Sequence, residues 1–421
     1  MAMIMRHLRL RPVLAFLALL AILNFIGCGG SNNSNNTGAN TGNPNPGGSN
    51  NGNSGGNGGN SGGSGGSGGG SSSSSRYLYV GAYIDQGSIF GFRFDPTSGS
   101  LTKISDSSLV AGTALSGVLA SQGSVVYSTN TPSSSDTQVL AYRADQGTGN
   151  LTKSGSAVLG SGGTAATDVR MMKTSPSGQT LYVVSQSSVY AIATNNGNPS
   201  LLNSQLVGDV VFGFALAGNF AFVGVQNGNP KDGFQTPIIR RIPLAADGSL
   251  GTPADAITLT GANIPSALAA DPSGKFLAAT AGMNNSVINL YAIGSGGTLT
   301  SVGLPASTEN RTAKYMDFDP SGKFLYLLTN EEAVPNQESV IVYSLGSDGT
   351  LTQVQVLDMP SDVRGNRPLV QSDYVFVVNN TVSSVQGSVT VLRRDASSGK
   401  LTNVGSTGVS TALEDPAMVQ F

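Results

Sequence analysis

The chain has 421 residues, with 57 glycines, one cysteine, one histidine and no tryptophan. Its 22 basic and 24 acidic side chains leave a net charge of −2. That balance excludes the basic footprint of a nucleic-acid-binding protein, and a single cysteine excludes an internal disulfide framework.

The first 27 residues set a basic stretch, with Arg6, Arg9 and Arg11, before an apolar run over 13–23 that Asn24 interrupts. A basic region followed by a short apolar core predicts a secretory signal over 1–27. The run is shorter than the ~20 residues of a membrane span. It closes on FIGC at 25–28. This resembles a bacterial lipobox, although Phe25 stands where leucine is most common. The resemblance implies cleavage before Cys28 and lipidation of its sulfur and its new amino group. More than one acyl chain gives durable anchoring. An ordinary signal peptide with an incidental cysteine is the alternative. Gly29, in place of aspartate, implies the outer membrane if the host is Gram-negative.

Residues 28–75 hold no charged and no aromatic side chain. Such a Gly/Ser/Asn segment cannot bury enough apolar surface to offset its ordering entropy, and reads as a disordered tether. Its mean reach is roughly 35–40 Å. The glycines match no phosphate-binding GxxxxGK[ST] pattern.

Residues 76–421 read as the folded domain, and they repeat. DPSGKFL occurs at 271–277 and 319–325, with a worn copy, SPSGQTL, at 175–181. A leucine after a Gly/Ser turn recurs at Leu101, Leu151, Leu201, Leu250, Leu299, Leu351 and Leu401, spaced by 49 to 52 residues. Within one unit, four apolar runs at 266–270, 276–280, 286–293 and 299–303 are bounded by Pro, Gly, Asn and Ser. They read as four short strands. Proline and glycine in DPSG suit a tight turn, and the aspartate can bond back to the backbone. Four-strand units repeated radially make a β-propeller. The fold class is therefore all-β: a seven-bladed propeller of four antiparallel strands per blade.

The chain finishes with DPAMVQF at 415–421, which matches a blade's first strand, and RYLYVGAY at 76–83 matches a second strand. The C-terminal strand is expected to complete the N-terminal blade and close the ring, which removes an open sheet edge. Residues 416–421 should pair with 77–82.

The strands LYLLTN (325–330) and LYVV (181–184), with DPSGKFLY, resemble the lactonase-like seven-bladed propellers related to 6-phosphogluconolactonase and carboxymuconate-lactonising enzymes. The resemblance covers 76–421. In that family a strand ends in Asn-Glu with a proposed catalytic acid, which implies Glu331. The family's Arg-His pair falls on Lys314 and Tyr315, and its histidines one blade earlier fall on Ile264 and Ser266. One acid and one cation survive, and every histidine is gone.

In a propeller, the DPSG and SG-L-T turns share one face. The other face, built from the loops that lead into each blade and those joining second to third strands, is the default site. Its candidates are Asp168, Arg170, Glu309, Arg311, Lys314, Glu331, Glu332, Arg364, Arg367, Glu414 and Asp415. As catalytic residues, Glu331 would activate water while Lys314 or Arg367 held the carbonyl oxygen. The competing view leaves Glu331 and Glu332 as solvated loop charges. DFDPSG at 317–322 mimics a calcium loop but has Leu328, not Glu, at its twelfth position, so no metal site is expected. The RR pairs at 240–241 and 393–394 read as solvated edge charge.

Two functions compete. One is a lipid-anchored binding or interaction module, monomeric, holding a small ligand, a glycan or another envelope protein at the channel mouth. The other is a lactone hydrolase. The missing histidines favour the first; the family resemblance and Glu331 favour the second. No cofactor is expected, because no tryptophan is present to stack a quinone.

Overall fold

The structure is a computed structural model. It describes residues 75–421 except 83–86, 112–114, 131–136, 161–167, 209, 228–235, 260–263, 282–286, 332–336, 361–362 and 382–385. The signal, the tether and Cys28 lie outside the described residues.

Seven antiparallel sheets follow one another along the chain. Six contain four consecutive strands each, starting at Leu115, Met171, Val210, Leu268, Thr312 and Val363; these are blades 2 to 7. Blade 1 is built from both ends of the domain. Its inner strand is Leu413–Gln420, followed by Arg76–Ala82, Ser88–Phe94 and Leu101–Lys103. The closing register runs Arg76 to Gln420, Tyr79 to Ala417 and Val80 to Pro416. The expected closure is therefore present, and the Phe421 N–H reaches the Ser75 carbonyl at 3.1 Å.

The expected strands of blade 5 appear as Leu268–Ala270, Phe276–Ala281, Val287–Ile293 and Leu299–Ser307. The outer strand runs four residues further than its apolar signal, because its solvent-facing end needs ladder bonds rather than apolar side chains. Blade 1 adds a short piece, Val110–Ala111, that pairs with Ser88–Ile89 of the third strand, further along the edge that Leu101–Lys103 occupies.

Second strands are buried on both faces: Leu325, Tyr326, Leu327 and Leu328 are all fully buried. Blades stack face to face, so a second strand has no solvent side and reads as a continuous apolar run. Seven apolar clusters result, one at each junction between neighbouring blades. The closing junction packs Leu78 and Phe92 of blade 1 against Phe376 and Val391 of blade 7.

The repeated heptapeptide has a local and a long-range use. Locally, the Asp319 carboxylate accepts the Ser321 hydroxyl at 2.6 Å and the Phe324 N–H at 2.9 Å, which staples the hairpin. Asp271 does the same for Ser273 and Phe276. At long range, a residue at the start of each second strand lies against the turn glycine of the next blade. A Cβ at Gly399 would meet Phe324 at 2.3 Å, one at Gly149 would meet Tyr77 at 2.5 Å, and one at Gly99 would meet Tyr374 at 2.8 Å. The other four junctions pair Val125 with Gly197, Thr180 with Gly248, Phe220 with Gly297 and Phe276 with Gly349. Where both marks are intact, at Phe276 with Gly349 and Phe324 with Gly399, DPSG-x-aromatic and Gly-x-Leu are the two halves of one inter-blade clasp.

One expectation fails here. Arg394 of the second RR pair is buried, and its NH1 meets buried Asp319 of blade 6 at 3.2 Å. Arg393 bonds Thr97 O at 2.9 Å and lies over the Tyr374 ring. Adjacent residues of a strand face opposite sides, so Arg394 points into the blade junction while Arg393 stays exposed, and only Arg394 departs from solvated edge charge.

Candidate functional site

The first strands of all seven blades surround the central channel. At its loop end the chain concentrates charge. Arg367, on Val363–Gln371 of blade 7, sits in a bulge between the Gly365 and Pro368 pairings. Its NH1 donates to Asp415 Oδ2 at 2.7 Å, its NH2 to the Arg170 carbonyl at 3.1 Å, and its guanidinium lies 5.1 Å from the Tyr315 ring centre. Asp415 is 5% exposed. Burial raises its pKa despite the pull of Arg367. Glu414 beside it is pushed up to about 7, first by burial and then by the Asp415 charge, with Arg367 opposing. The Arg367 guanidinium thus pairs with Asp415, and Glu414 feels its charge without a direct contact. Burial also raises the Tyr315 phenol.

Lys314 lies in another bulge, between the Ala313 and Tyr315 pairings of blade 6. Its Nζ donates to Glu338 Oε1, and Glu338 is fully buried. The second carboxylate oxygen of Glu338 accepts the Gly365 N–H, which ties blade 6 to blade 7. Lys314 and Arg367 are thus directed to different carboxylates. The Glu331 backbone ends the second strand of blade 6 opposite Gln337. Its side chain, that of Arg364, and all of Glu332 lie outside the described residues.

The other candidates are ion-paired around the same end. Arg170 holds Asp168 at 2.9 Å and the Val211 carbonyl at 2.8 Å. Arg311 holds Glu309 at 2.9 Å and approaches Asp358 at 3.6 Å. Ser266, where the family carries a histidine, shares a 2.9 Å hydrogen bond with Thr280. Among the described residues no three His, Cys, Asp or Glu side chains are placed to hold a metal ion.

Midway along the channel, Lys173 Nζ of blade 3 meets Asp317 Oδ1 of blade 6 at 3.9 Å. Toward the loop end lies a void of about 50 Å³ lined by Tyr315 and Arg367 as well as by this pair. Toward the hairpin end a cavity of about 480 Å³ opens, lined by the same pair together with Gln122, Gln371 and Gln420. The larger of these two cavities is therefore at the opposite end from the default site.

Sequence reasoning passed over Glu338, Lys173 and Asp317. Repeat alignment carried a signal for the last two, since each stands three residues before its hairpin proline, Pro176 and Pro320. Opposite charges at one register position of two blades point at each other across the axis. Glu338 carried no such signal, because QESVIVY reads as a charge at a strand's exposed start.

No family model matches the chain, and no curated protein matches it in sequence. Solved structures do resemble it. A proposed 6-phosphogluconolactonase from Bacteroides uniformis is 16% identical, with a TM-score of 0.63 over 82% of this chain and 99% of that one. A second, from Bacteroides fragilis, is 18% identical with a TM-score of 0.58, over 83% and 99%. A Lactobacillus plantarum protein is 19% identical with a TM-score of 0.55, over the same shares. At these identities the likeness is one of fold, and the chain has the seven-bladed lactonase-like propeller architecture.

Proposed function

We propose that this protein is a lipid-anchored, extracytoplasmic binding module that holds its ligand in the channel and does not hydrolyse it. One observation carries the reading. Each described cation that hydrolysis would use is already neutralised, Lys314 by Glu338 and Arg367 by Asp415. Stabilising an oxyanion needs donors aimed at the place where charge develops, not donors already spent on carboxylates. The surplus of acid over base around Arg367 also opposes a phosphorylated substrate. The test is an assay of full-length protein against a neutral sugar lactone and its phosphorylated form. No turnover of either is expected; turnover that disappears in Glu331→Gln or Glu414→Gln would make the protein an enzyme.

The second reading, a lactone hydrolase, draws on Glu414. A carboxyl group with a pKa of about 7 is matched to general-base work near neutrality, and Arg367 stands beside it. The names of the two Bacteroides neighbours lean the same way. In this version Glu414, or Glu331, takes the proton from water and Arg367 faces the carbonyl oxygen once Asp415 releases it.

The anchor rests on the basic and apolar leader that ends at Cys28. Cys28→Ala should move the protein from the membrane to the soluble fraction. Retention of the variant in membranes would sink the lipoprotein reading.

A further inference from the structure

The Lys173–Asp317 contact divides the channel into two chemically different ends. We infer that the hairpin-end cavity is a binding site for a neutral polyhydroxylated ligand, a sugar or the end of a sugar chain, with Lys173 and Asp317 as its floor. The inference rests on the binding-module reading and gives it a place and a ligand class.

Size, charge and hydrogen-bonding capacity point the same way. A cavity of about 480 Å³ falls within the usual range for small-molecule sites. Its described lining holds one cation and one anion. A carboxylate or phosphate drawn to Lys173 would also face Asp317, and an amine drawn to Asp317 would also face Lys173. A hydroxyl escapes this conflict, since it donates to the carboxylate and accepts from the ammonium. The pair itself is easily opened. At 3.9 Å, with side chains 35% and 39% exposed, it is a loose contact of the kind that contributes little to stability.

Around this floor stand the amides of Gln122, Gln371 and Gln420, from blades 2, 7 and 1. No described residue hydrogen-bonds these side chains. Each offers a donor and an acceptor without charge, which is what successive ligand hydroxyls require. The described lining contains no aromatic ring, so a flat aromatic ligand would find nothing to stack on. Hydrogen bonds to the charged pair should supply most of the affinity, since charge-assisted bonds are the stronger ones.

The test is calorimetry and ligand-observed NMR on the full-length protein. Maltose and N-acetylglucosamine are the neutral probes; gluconate and glucosamine are the charged comparators. A neutral probe should bind, and Lys173→Met and Asp317→Asn should each weaken it by about tenfold. Gln371→Leu, at the rim and outside the ion pair, should weaken it several-fold at an unchanged thermal midpoint, so lost contact is told apart from lost folding. Preference for gluconate or glucosamine overturns the ligand class. Sugar binding that survives both ion-pair variants but falls in Glu414→Gln overturns the site and leaves the binding reading intact. No binding of either neutral sugar overturns the inference, whereas only lactone turnover overturns the binding reading.

Discussion

Glu414 shows what a residue's surroundings add to its type. A free glutamate titrates near 4.5, and burial beside Asp415 moves this one to about 7. Between those values the folded protein keeps a proton that the unfolded chain has lost. Stability should therefore be greatest below about pH 4.5 as far as this group is concerned, fall as pH rises toward 7, and level off above it. The loss should total about 2–3 kcal/mol, allowing for relaxation around the charge. Asp415, also raised, adds a contribution of the same sign. Denaturant unfolding of wild type and Glu414→Gln from pH 4.5 to 8 checks this. The variant, neutral throughout, should lose most of the slope and be the more stable form at pH 8. Both acids were visible as candidates in the sequence. The pairing of Asp415 with Arg367 was not, because that arginine lies in a different blade and reaches Asp415 only through ring closure. The same holds for Lys314, legible as a cation near the channel, whose partner Glu338 looked like an ordinary strand-end charge.

The blade is the unit that the sequence displays most openly. Its period, its four apolar runs and its DPSG hairpin were all legible, since each depends on neighbours within about fifty residues. What remained hidden is why the turn glycine and the aromatic belong together, because the contact joins one blade's second strand to the next blade's last turn. Gly399 makes the point. Its φ of +72° already disfavours a side chain, and an added Cβ would lie 2.3 Å from the Phe324 ring. The Tyr326 hydroxyl also donates to its carbonyl at 3.0 Å. Gly123 also has a positive φ, +52°, but nothing within 4 Å of an added Cβ. Gly123→Ala should cost about 1 kcal/mol, the left-handed penalty alone. Gly399→Ala should cost about 3 kcal/mol or more, because the junction must open as well. Equal thermal midpoints for the two variants would refute the clasp as a source of stability.

At the scale of the molecule, the ring is held shut by hydrogen bonds between Leu413–Gln420 and Arg76–Ala82, not by a covalent link. Deleting 416–421 should expose the edge of Arg76–Ala82 and uncover Met418's place in the closing cluster. Loss of cooperative unfolding or aggregation is expected, a far larger effect than deleting 31–70; matching melting curves for the two truncations would count against this closure. The closing strands also meet in hairpin register, with Gln420 opposite Arg76 and the Phe421 N–H on the Ser75 carbonyl. A turn of a few residues placed there would finish the one hairpin that the other blades already possess. The domain is in this sense a circle cut at one point, and the position of the cut is not dictated by packing. Circular permutants that join Phe421 to Ser75 through such a turn and open a loop between two other blades should fold to the same seven sheets, with the duty of closing the ring passed to a different strand.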